Sequence, residues 1–384
     1  MAHTQGQRTA RNQTGWSGIL SSMPQRLKTI FILGAGASRQ GGAPLMADFI
    51  DKARDLFRAG NVGRHEEAFR TFFDALGDAQ VIHSKSRLDT NNIEAVFSAF
   101  EFAQIIKSFC GYEMRRISTL PEAAKGLIAQ TIEETLLFPI VNSSLRPPKP
   151  YDDFGALVTS LQESEHIAHD VVIITFNYDC AVDFAFWNSP SGIYYGLEPQ
   201  QDAVALPIFK LHGSLNWAMC AECPAIALMT FADFMQNRRY PSDARSAKLN
   251  FSDSLAELRH GSHRVKPRPV LVPPTWNKAG YHQALSVIWS AAAAELASAD
   301  NIFVIGYSLS ETDIFFRYLY ALGTVGRKPL ERFWVYDPDT TGTVKSRFLG
   351  MLGPGAEQRF THRPLTFENA IPDIASTFGI HKKL

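Results

Sequence analysis

The run Thr29-Ile-Phe-Ile-Leu33 and the Gly34-Ala35-Gly36-Ala37-Ser38 that follows it constrain this chain more than any other stretch. Five apolar or β-branched residues in succession predict a short strand buried on both faces. Two glycines flanking one alanine then allow a sharp turn, and they let a ligand approach the main chain with no Cβ in the way. Pro44, closing Gly42-Ala43-Pro44, stands near the start of a helical pattern through Leu45, Phe49, Ala53 and Leu56. Strand, glycine turn and helix N-terminus together offer N–H groups and a positive dipole end to a pyrophosphate. Arg39 occupies the place of the third glycine in the usual dinucleotide fingerprint. The motif by itself therefore also fits a tight turn that binds nothing.

Downstream, residues 48–76 read as mostly helical with a break near Gly60 to Gly63. Asn91-Asn-Ile93-Glu94 resembles a capping box that opens a helix through Phe97, Phe100 and Ile106. A further helical stretch runs from about Pro121 to Leu137. No convincing strand is read between about residues 50 and 165, so this part is predicted to be a helical insertion. Its phenylalanine stripe reads as core, and its remaining apolar positions suit either an internal packing layer or a contact surface. Strand character returns at 171–176, 205–211, 270–272, 302–305 and 332–336, mostly ending in a polar or glycine-bearing cluster. This pattern predicts an α/β fold, a Rossmann-like doubly wound parallel sheet whose ligand lies beyond the carboxyl ends of the strands. The expected organisation is a flexible arm over 1–28, one domain over 29–345 and a C-terminal segment over 346–384. The domain includes the insertion and a small irregular module at about 217–268.

Lysine plus arginine and aspartate plus glutamate both number 38 in 384 residues, which makes no global electrostatic case for direct nucleic-acid binding. The basic stretch from Arg238 to Arg268 is interrupted by Asp243, Asp253 and Glu257 and reads as a solvated face. Four scattered cysteines, Cys110, Cys180, Cys220 and Cys223, fit a reducing cytoplasm better than a disulfide scaffold. No apolar run reaches the roughly 18 residues of a membrane span. Met1 to Lys28 lacks the apolar core of a secretory signal. Its acid-poor, arginine-bearing composition is shared with organelle transit peptides, but a flexible arm is the simpler account.

Five motifs in order resemble those of the sirtuin-like superfamily, its bacterial branch more than its protein deacylases. They are Gly34-Ala-Gly-Ala-Ser38, Gly42-Ala-Pro44, Thr175-Phe-Asn177-Tyr-Asp179, Lys210-Leu-His212-Gly-Ser214 and Gly306-Tyr307-Ser308-Leu. With the last strand they span residues 29 to 337. The resemblance implies that NAD is the substrate, with Gly34, Ala35, Gly36, Ala37 and Ser38 cradling its pyrophosphate and Pro44 beginning a mobile cofactor-binding loop. It puts Asn177 on the nicotinamide ribose and a water, Thr175 and Asp179 on the same loop, and His212 in the role of base. Gly306, Tyr307 and Ser308 would border the adenosine half, and Asp337 would meet the adenosine ribose. Gly306-Tyr-Ser-Leu-Ser-Glu311-Thr-Asp313 resembles the form found in bacterial sirtuin-like NAD hydrolases of anti-phage defence. That adds Asp313 to the cofactor contacts. It also implies a homo-oligomer working with a separate sensor or activator, such as a HerA-type ATPase or an Argonaute.

The chemistry of these residue types agrees with those roles. Cleaving ribose from nicotinamide releases a neutral molecule from a cationic pyridinium, so the reaction needs no general acid. It needs support for a developing oxocarbenium ion and a nucleophile on the other face. A carboxamide orients hydroxyls and water without adding charge, and a histidine accepts a proton near neutral pH. The departures count against a deacylase. Leu45-Met-Ala-Asp48 stands where deacylases carry an arginine and an aromatic, and Pro273-Pro274-Thr-Trp276-Asn-Lys278 replaces their acyl-lysine channel segment. One Cys-x-x-Cys pair is present where they have two. His260 and His263 offer a way to complete a zinc site, but their spacing is shorter than the usual finger pattern. A remnant pair of buried thiols and no metal is the expectation. An NAD glycohydrolase is thus expected ahead of an NAD-dependent deacylase or a non-catalytic NAD- or ADP-ribose-sensing regulator.

Overall fold

Ile30, Phe31, Ile32 and Leu33 are fully buried, as a strand must be when both its faces are covered. Their strand, Leu27–Leu33, lies at the centre of a seven-stranded sheet. Its order is Phe360–Arg363, Arg332–Tyr336, Asn301–Ile305, Leu27–Leu33, His169–Thr175, Leu206–Lys210 and Ile193–Tyr194. All its pairings are parallel. Parallel neighbours require crossovers, so helices cover the sheet: Tyr151–Gln162 packs on His169–Thr175, and Ala279–Ala297 packs on Leu206–Lys210. From the central strand the chain passes to His169–Thr175, then to the edge strand Ile193–Tyr194 and back inward to Leu206–Lys210; it later returns to Asn301–Ile305 and winds outward on the other side. The expected doubly wound α/β sheet is the observed one, and its switch point lies between Leu27–Leu33 and Asn301–Ile305.

The computed structural model describes residues 26–81, 88–164, 167–198, 205–236, 238–241, 243–272, 279–311, 313–326 and 328–380. Residues 1–25 of the expected arm, Thr312 and the segment Pro273 to Lys278 lie outside the described residues. The expected boundaries shift in several places. Leu27 and Lys28, assigned to the arm, already pair with His169 and Asp170. The segment after 345 belongs to the domain, because Phe360–Arg363 forms the sheet's edge strand and Phe367 packs edge-on against Tyr151 and Phe154. The alternation in this last strand is half-buried throughout, which is why its apolar signal is weak. The insertion is not purely helical: Phe138–Val141 and Ser144–Leu145 are short strands. Finally, the small module is an antiparallel sheet ordered Arg259–His260, His263–Leu271, Gly213–Cys220 and Ile226–Leu228. Val270 and Leu271 belong to that sheet rather than to the parallel one.

Core packing ties these parts together. Phe31 meets Phe154 edge-on at 5.0 Å and stacks on Phe303 at 5.6 Å, so one ring joins the central strand to a helix and to its neighbour. Truncating such a side chain to alanine costs about 3–5 kcal/mol. In the insertion, Phe69, Phe72 and Phe100 are fully buried between Glu66–Val81, Ile93–Ile106 and Met114–Thr135. Among several polar contacts that join the insertion to the small module one is deeply buried: Glu133 accepts from the Ser252 amide at 2.8 Å and from its hydroxyl at 2.5 Å. Burial pushes the Glu133 pKa up to about 7, against the pull of the Ser252 hydrogen bonds. The folded chain therefore binds this proton more tightly than the unfolded chain, and stability falls as pH rises from about 4.5 to about 7. The Glu133→Gln variant is expected to remove that fall, on the order of 3 kcal/mol at most. Urea denaturation at pH 4.5 and pH 7.5 measures it; an unaltered pH slope in the variant would contradict this assignment.

Candidate active site

At the switch point two glycine turns interlock. The Gly36 amide donates to Gly306 O at 2.8 Å, the Gly34 amide to Ile305 O at 3.1 Å, and the Gly306 amide to Tyr336 O at 3.0 Å. A Cβ on Gly34 would meet Gly306 O at 2.6 Å, and one on Gly306, whose φ is +61°, would meet Ala37 N at 2.4 Å. Both turns therefore require glycine on contact grounds, and Gly306 on backbone grounds as well. This revises the expected cradle. The amides of Gly34, Gly36 and Ala37 already donate to carbonyls, the last to Gly34 O at 2.9 Å, so they are not simply presented to a phosphate.

Beside the turns opens a cavity of about 790 Å³, a size that accommodates a ligand as large as a dinucleotide. Of the residues expected at the site, Ala35, Gly36, Ser38, Pro44, Asn177, Asp179, His212, Gly306, Tyr307, Ser308, Asp313 and Asp337 line it. Gly34, Ala37 and Thr175 do not. Thr175 works from behind: its hydroxyl donates to Leu33 O and accepts from the Asn177 amide at 3.1 Å, fixing the loop after His169–Thr175 to the central strand.

Asn177, at the mouth of that loop, is 7% exposed. Its Nδ2 donates to Gly34 O at 3.0 Å and to Ser38 Oγ at 3.1 Å. Flipping the amide would set an oxygen against the Gly34 carbonyl, so the orientation is determined by the contacts themselves. With both N–H groups engaged, what the carboxamide offers a ligand is the acceptor Oδ1. Ser38 Oγ in turn meets the hydroxyl of buried Tyr151 at 2.8 Å. Asp179 Oδ1 accepts from the Ala181 amide at 2.9 Å, and burial raises its pKa above the usual carboxylate value against the pull of Lys210. Lys210, fully buried, donates to Asp179 O at 2.6 Å and to Asp183 Oδ2 at 2.8 Å. It thereby binds the Asn177 loop to the strand that leads to His212.

His212 is 5% exposed and stands where the chain leaves the parallel sheet. Gly213 follows with φ +87°, and a Cβ there would meet Val270 O at 2.1 Å, so glycine is required for the crossing into the antiparallel module. The His212 ring packs edge-on against Phe176 at 5.1 Å, and Phe176 stacks on Tyr307 at 4.2 Å. Asp337, at the end of Arg332–Tyr336, caps the Asp339 amide at 2.9 Å, and burial raises its pKa.

Other lining residues escaped sequence reasoning. Phe49, Ile93, Glu94, Phe97, Ile128 and Ile132 bring the helical insertion into the cavity wall, and the C-terminal segment adds its own residues after Arg363. The capping signal lies one position later than the capping-box spacing suggests. Asn92, not Asn91, caps the helix Ile93–Ile106, accepting from the amides of Glu94 and Ala95. Glu94 then does not close a capping box; its carboxylate accepts from Ser310 Oγ at 3.2 Å.

A second group of chemically capable side chains lies in the antiparallel module. Ligand atoms of Cys220, Cys223, His260 and His263 all fall within 4.8 Å of one another. The two-residue turn at Gly261 pairs His260 directly with His263, and the Cys-x-x-Cys turn faces it. The expectation of a leftover thiol pair without a metal does not account for this convergence.

No family model matches the chain, and no curated protein matches it. Among solved structures it is similar to a serine-to-alanine mutant of a Sir2 homologue in complex with ADP-ribose. That match has 14% identity and a TM-score of 0.39, and covers 93% of this chain and 94% of that one. It is also similar to a Sir2 homologue in complex with NAD, with 14% identity, 91% and 88% coverage and a TM-score of 0.38. At these values the likeness identifies neither an activity nor a substrate. The interlocked turns yield a direct prediction. Gly306→Ala is expected to lower stability by at least about 2 kcal/mol through positive-φ strain and overpacking. Gly77→Ala, inside the helix Glu66–Val81 with nothing within 4 Å, is expected not to lower it. Comparable denaturation midpoints for the two variants would refute the interlock.

Proposed function

We propose that this chain is an NAD hydrolase that releases nicotinamide and ADP-ribose, and that it acts as the cytoplasmic effector of a bacterial anti-phage defence system. The observation that carries the reading is that Asn177 and His212, from loops after two different strands, line one cavity together with the Ala35–Gly36 turn. A carboxamide held through both its N–H groups has a fixed acceptor with which to orient a water or a ribose hydroxyl. The histidine takes the proton that the nucleophile loses, and the apolar wall from Phe49, Ile93 and Phe97 limits bulk water. Asp337 suits the hydroxyls of the adenosine ribose.

The homo-oligomer and the separate activator, a HerA-type ATPase or an Argonaute, belong to the same reading. Exposed apolar residues at Ile314, Tyr318, Leu322 and Val325 support a contact surface on one helix face and its end. Two of the basic residues between 238 and 268 are paired inside the chain, Lys248 with Glu134 and Arg268 with Glu122, in keeping with no direct nucleic-acid role. Among the described residues no helix is long and apolar enough to cross a membrane.

Incubating the purified chain with NAD, with and without an acetylated peptide, and separating the products tests the activity. Free ADP-ribose without peptide is expected, and Asn177→Ala and His212→Ala are each expected to lower its formation at least a hundredfold. Product that appears only with peptide, as O-acetyl-ADP-ribose, would make the chain a deacylase. Intact NAD with measurable binding, in the presence of the activator, would make it a regulator.

The antiparallel module fits a structural zinc. Two thiolates and two imidazoles within one another's reach match the donor set and number of a tetrahedral site. The Glu222 amide donates to Cys220 Sγ and pulls that thiol down to about 6, toward the thiolate that a metal requires. Cys220, Cys223, His260 and His263 would hold the ion and brace the two turns. Metal analysis is expected to find about one zinc per chain and none in Cys223→Ser, with a lower melting temperature on chelation; a metal-free chain that melts unchanged in chelator would exclude it.

A further inference from the structure

Asp313 immediately precedes the helix Ile314–Gly323 and is 4% exposed. Its Oδ2 accepts from the Tyr307 hydroxyl at 2.6 Å, while its Oδ1 lies 3.9 Å from His212 Nε2. Tyr307 is held in turn by its stacking on Phe176, whose edge meets the His212 ring. Three loops beyond three different strands thus deliver His212, Phe176, Tyr307 and Asp313 to one packed group in the cavity wall. A residue placed to touch cofactor would direct its carboxylate outward. This one is directed at a tyrosine and a histidine.

We propose that Asp313 is the positioning partner of His212, holding the ring proton on Nε2 and balancing the imidazolium that forms when His212 accepts a proton. The proposal rests on the reading of His212 as the base in NAD cleavage. Burial alone disfavours an imidazolium and would leave His212 a poor base, whereas a carboxylate within about 4–6 Å favours it. A proton kept on Nε2 leaves the lone pair on Nδ1, which sets the tautomer that a base needs there. In the reaction the bond from the water oxygen to the ribose anomeric carbon forms. The bond from that carbon to the pyridinium nitrogen breaks, its electron pair leaving with neutral nicotinamide. The water proton passes to Nδ1 and then to solvent, so NAD and water give nicotinamide, ADP-ribose and one proton. At 3.9 Å the contact is an ion-pair distance that would shorten to a hydrogen bond as the ring becomes charged.

Other titratable groups at this end of the cavity have partners of their own, and the Tyr178 ring also lies 6.2 Å from the His212 ring. Glu94 accepts from Ser310, Asp179 from the Ala181 amide, and Tyr178 donates to Val272 O at 2.9 Å. Arg317, on the helix that follows Asp313, acts on Tyr307.

The test is a histidine titration followed by carbon-13 NMR on the full chain, with the His212 signal assigned by its loss in His212→Gln. In Asp313→Asn, which can still accept from Tyr307, the His212 pKa is expected to fall by at least one unit, about tenfold in proton affinity. Asp313→Glu is expected to recover at least half of that fall. With NAD, Asp313→Asn is expected to lower kcat at least tenfold with KM changed less than threefold. An unmoved His212 titration in Asp313→Asn overturns the pairing. Should that variant fail to fold, the wild-type value decides: at or above the ordinary 6.5 supports the pairing, below it overturns the pairing. A wild-type chain that neither binds nor cleaves NAD while the titration shifts would sink the hydrolase reading and leave the pairing intact. NAD cleavage with an unmoved titration would do the reverse.

Discussion

Two peptide turns touch at the centre of this molecule because neither carries a side chain that would keep them apart. The contact of Gly34 and Gly36 with Gly306 brings together the carboxyl ends of the strands Leu27–Leu33 and Asn301–Ile305, where the winding of the sheet reverses. Much of the cavity's chemistry depends on it. Gly34 supplies the carbonyl that orients the Asn177 carboxamide, and Tyr307, next to Gly306, links Phe176 to Asp313. A methyl group at either turn would push the two turns apart at the wall of the cavity.

The polar machinery is assembled in a low-dielectric setting, and its costs are met by specific partners. Lys210 and Asp183 are both fully buried, and removing either one alone leaves an uncompensated charge, typically worth 3–5 kcal/mol. The pair does more than persist. Lys210 also grips Asp179 O, so the strand that delivers His212 and the loop that carries Asn177 keep a common frame. Tyr151, Ser38 and Asn177 form a second connected chain of hydrogen bonds at that loop. Such networks favour one arrangement because a half-satisfied version is worse than none.

Much of this was legible in the residues themselves. Apolar runs closing on Asn177, His212, Gly306 and Asp337 announce a parallel sheet with a site at its carboxyl edge, because strand period and turn chemistry are local properties. Roles that depend on distant contacts were not legible. Thr175 shares a motif with Asn177 yet supports it from outside the cavity, and Gly34 and Ala37 serve the turn rather than the cavity surface. Glu94 reads as part of a helix cap and Phe97 as helical core, and nothing local reveals that their helix faces a cavity built by strands about sixty residues or more away. The two histidines at 260 and 263 looked too closely spaced for a metal until the hairpin register set them opposite the cysteine turn.

By itself, then, the amino-acid order determined the parallel architecture, the ordered motifs along it and the identity of the carboxamide and imidazole, since each follows from periodicity, glycine chemistry or side-chain type within a few residues. Tertiary structure alone decided which of those groups share a cavity, which amides of the first turn are already bonded, that Asp313 lies beside His212, and that two cysteines and two histidines converge. Those outcomes depend on strand order and register, which are settled by packing across the whole sheet rather than by any local stretch of chain.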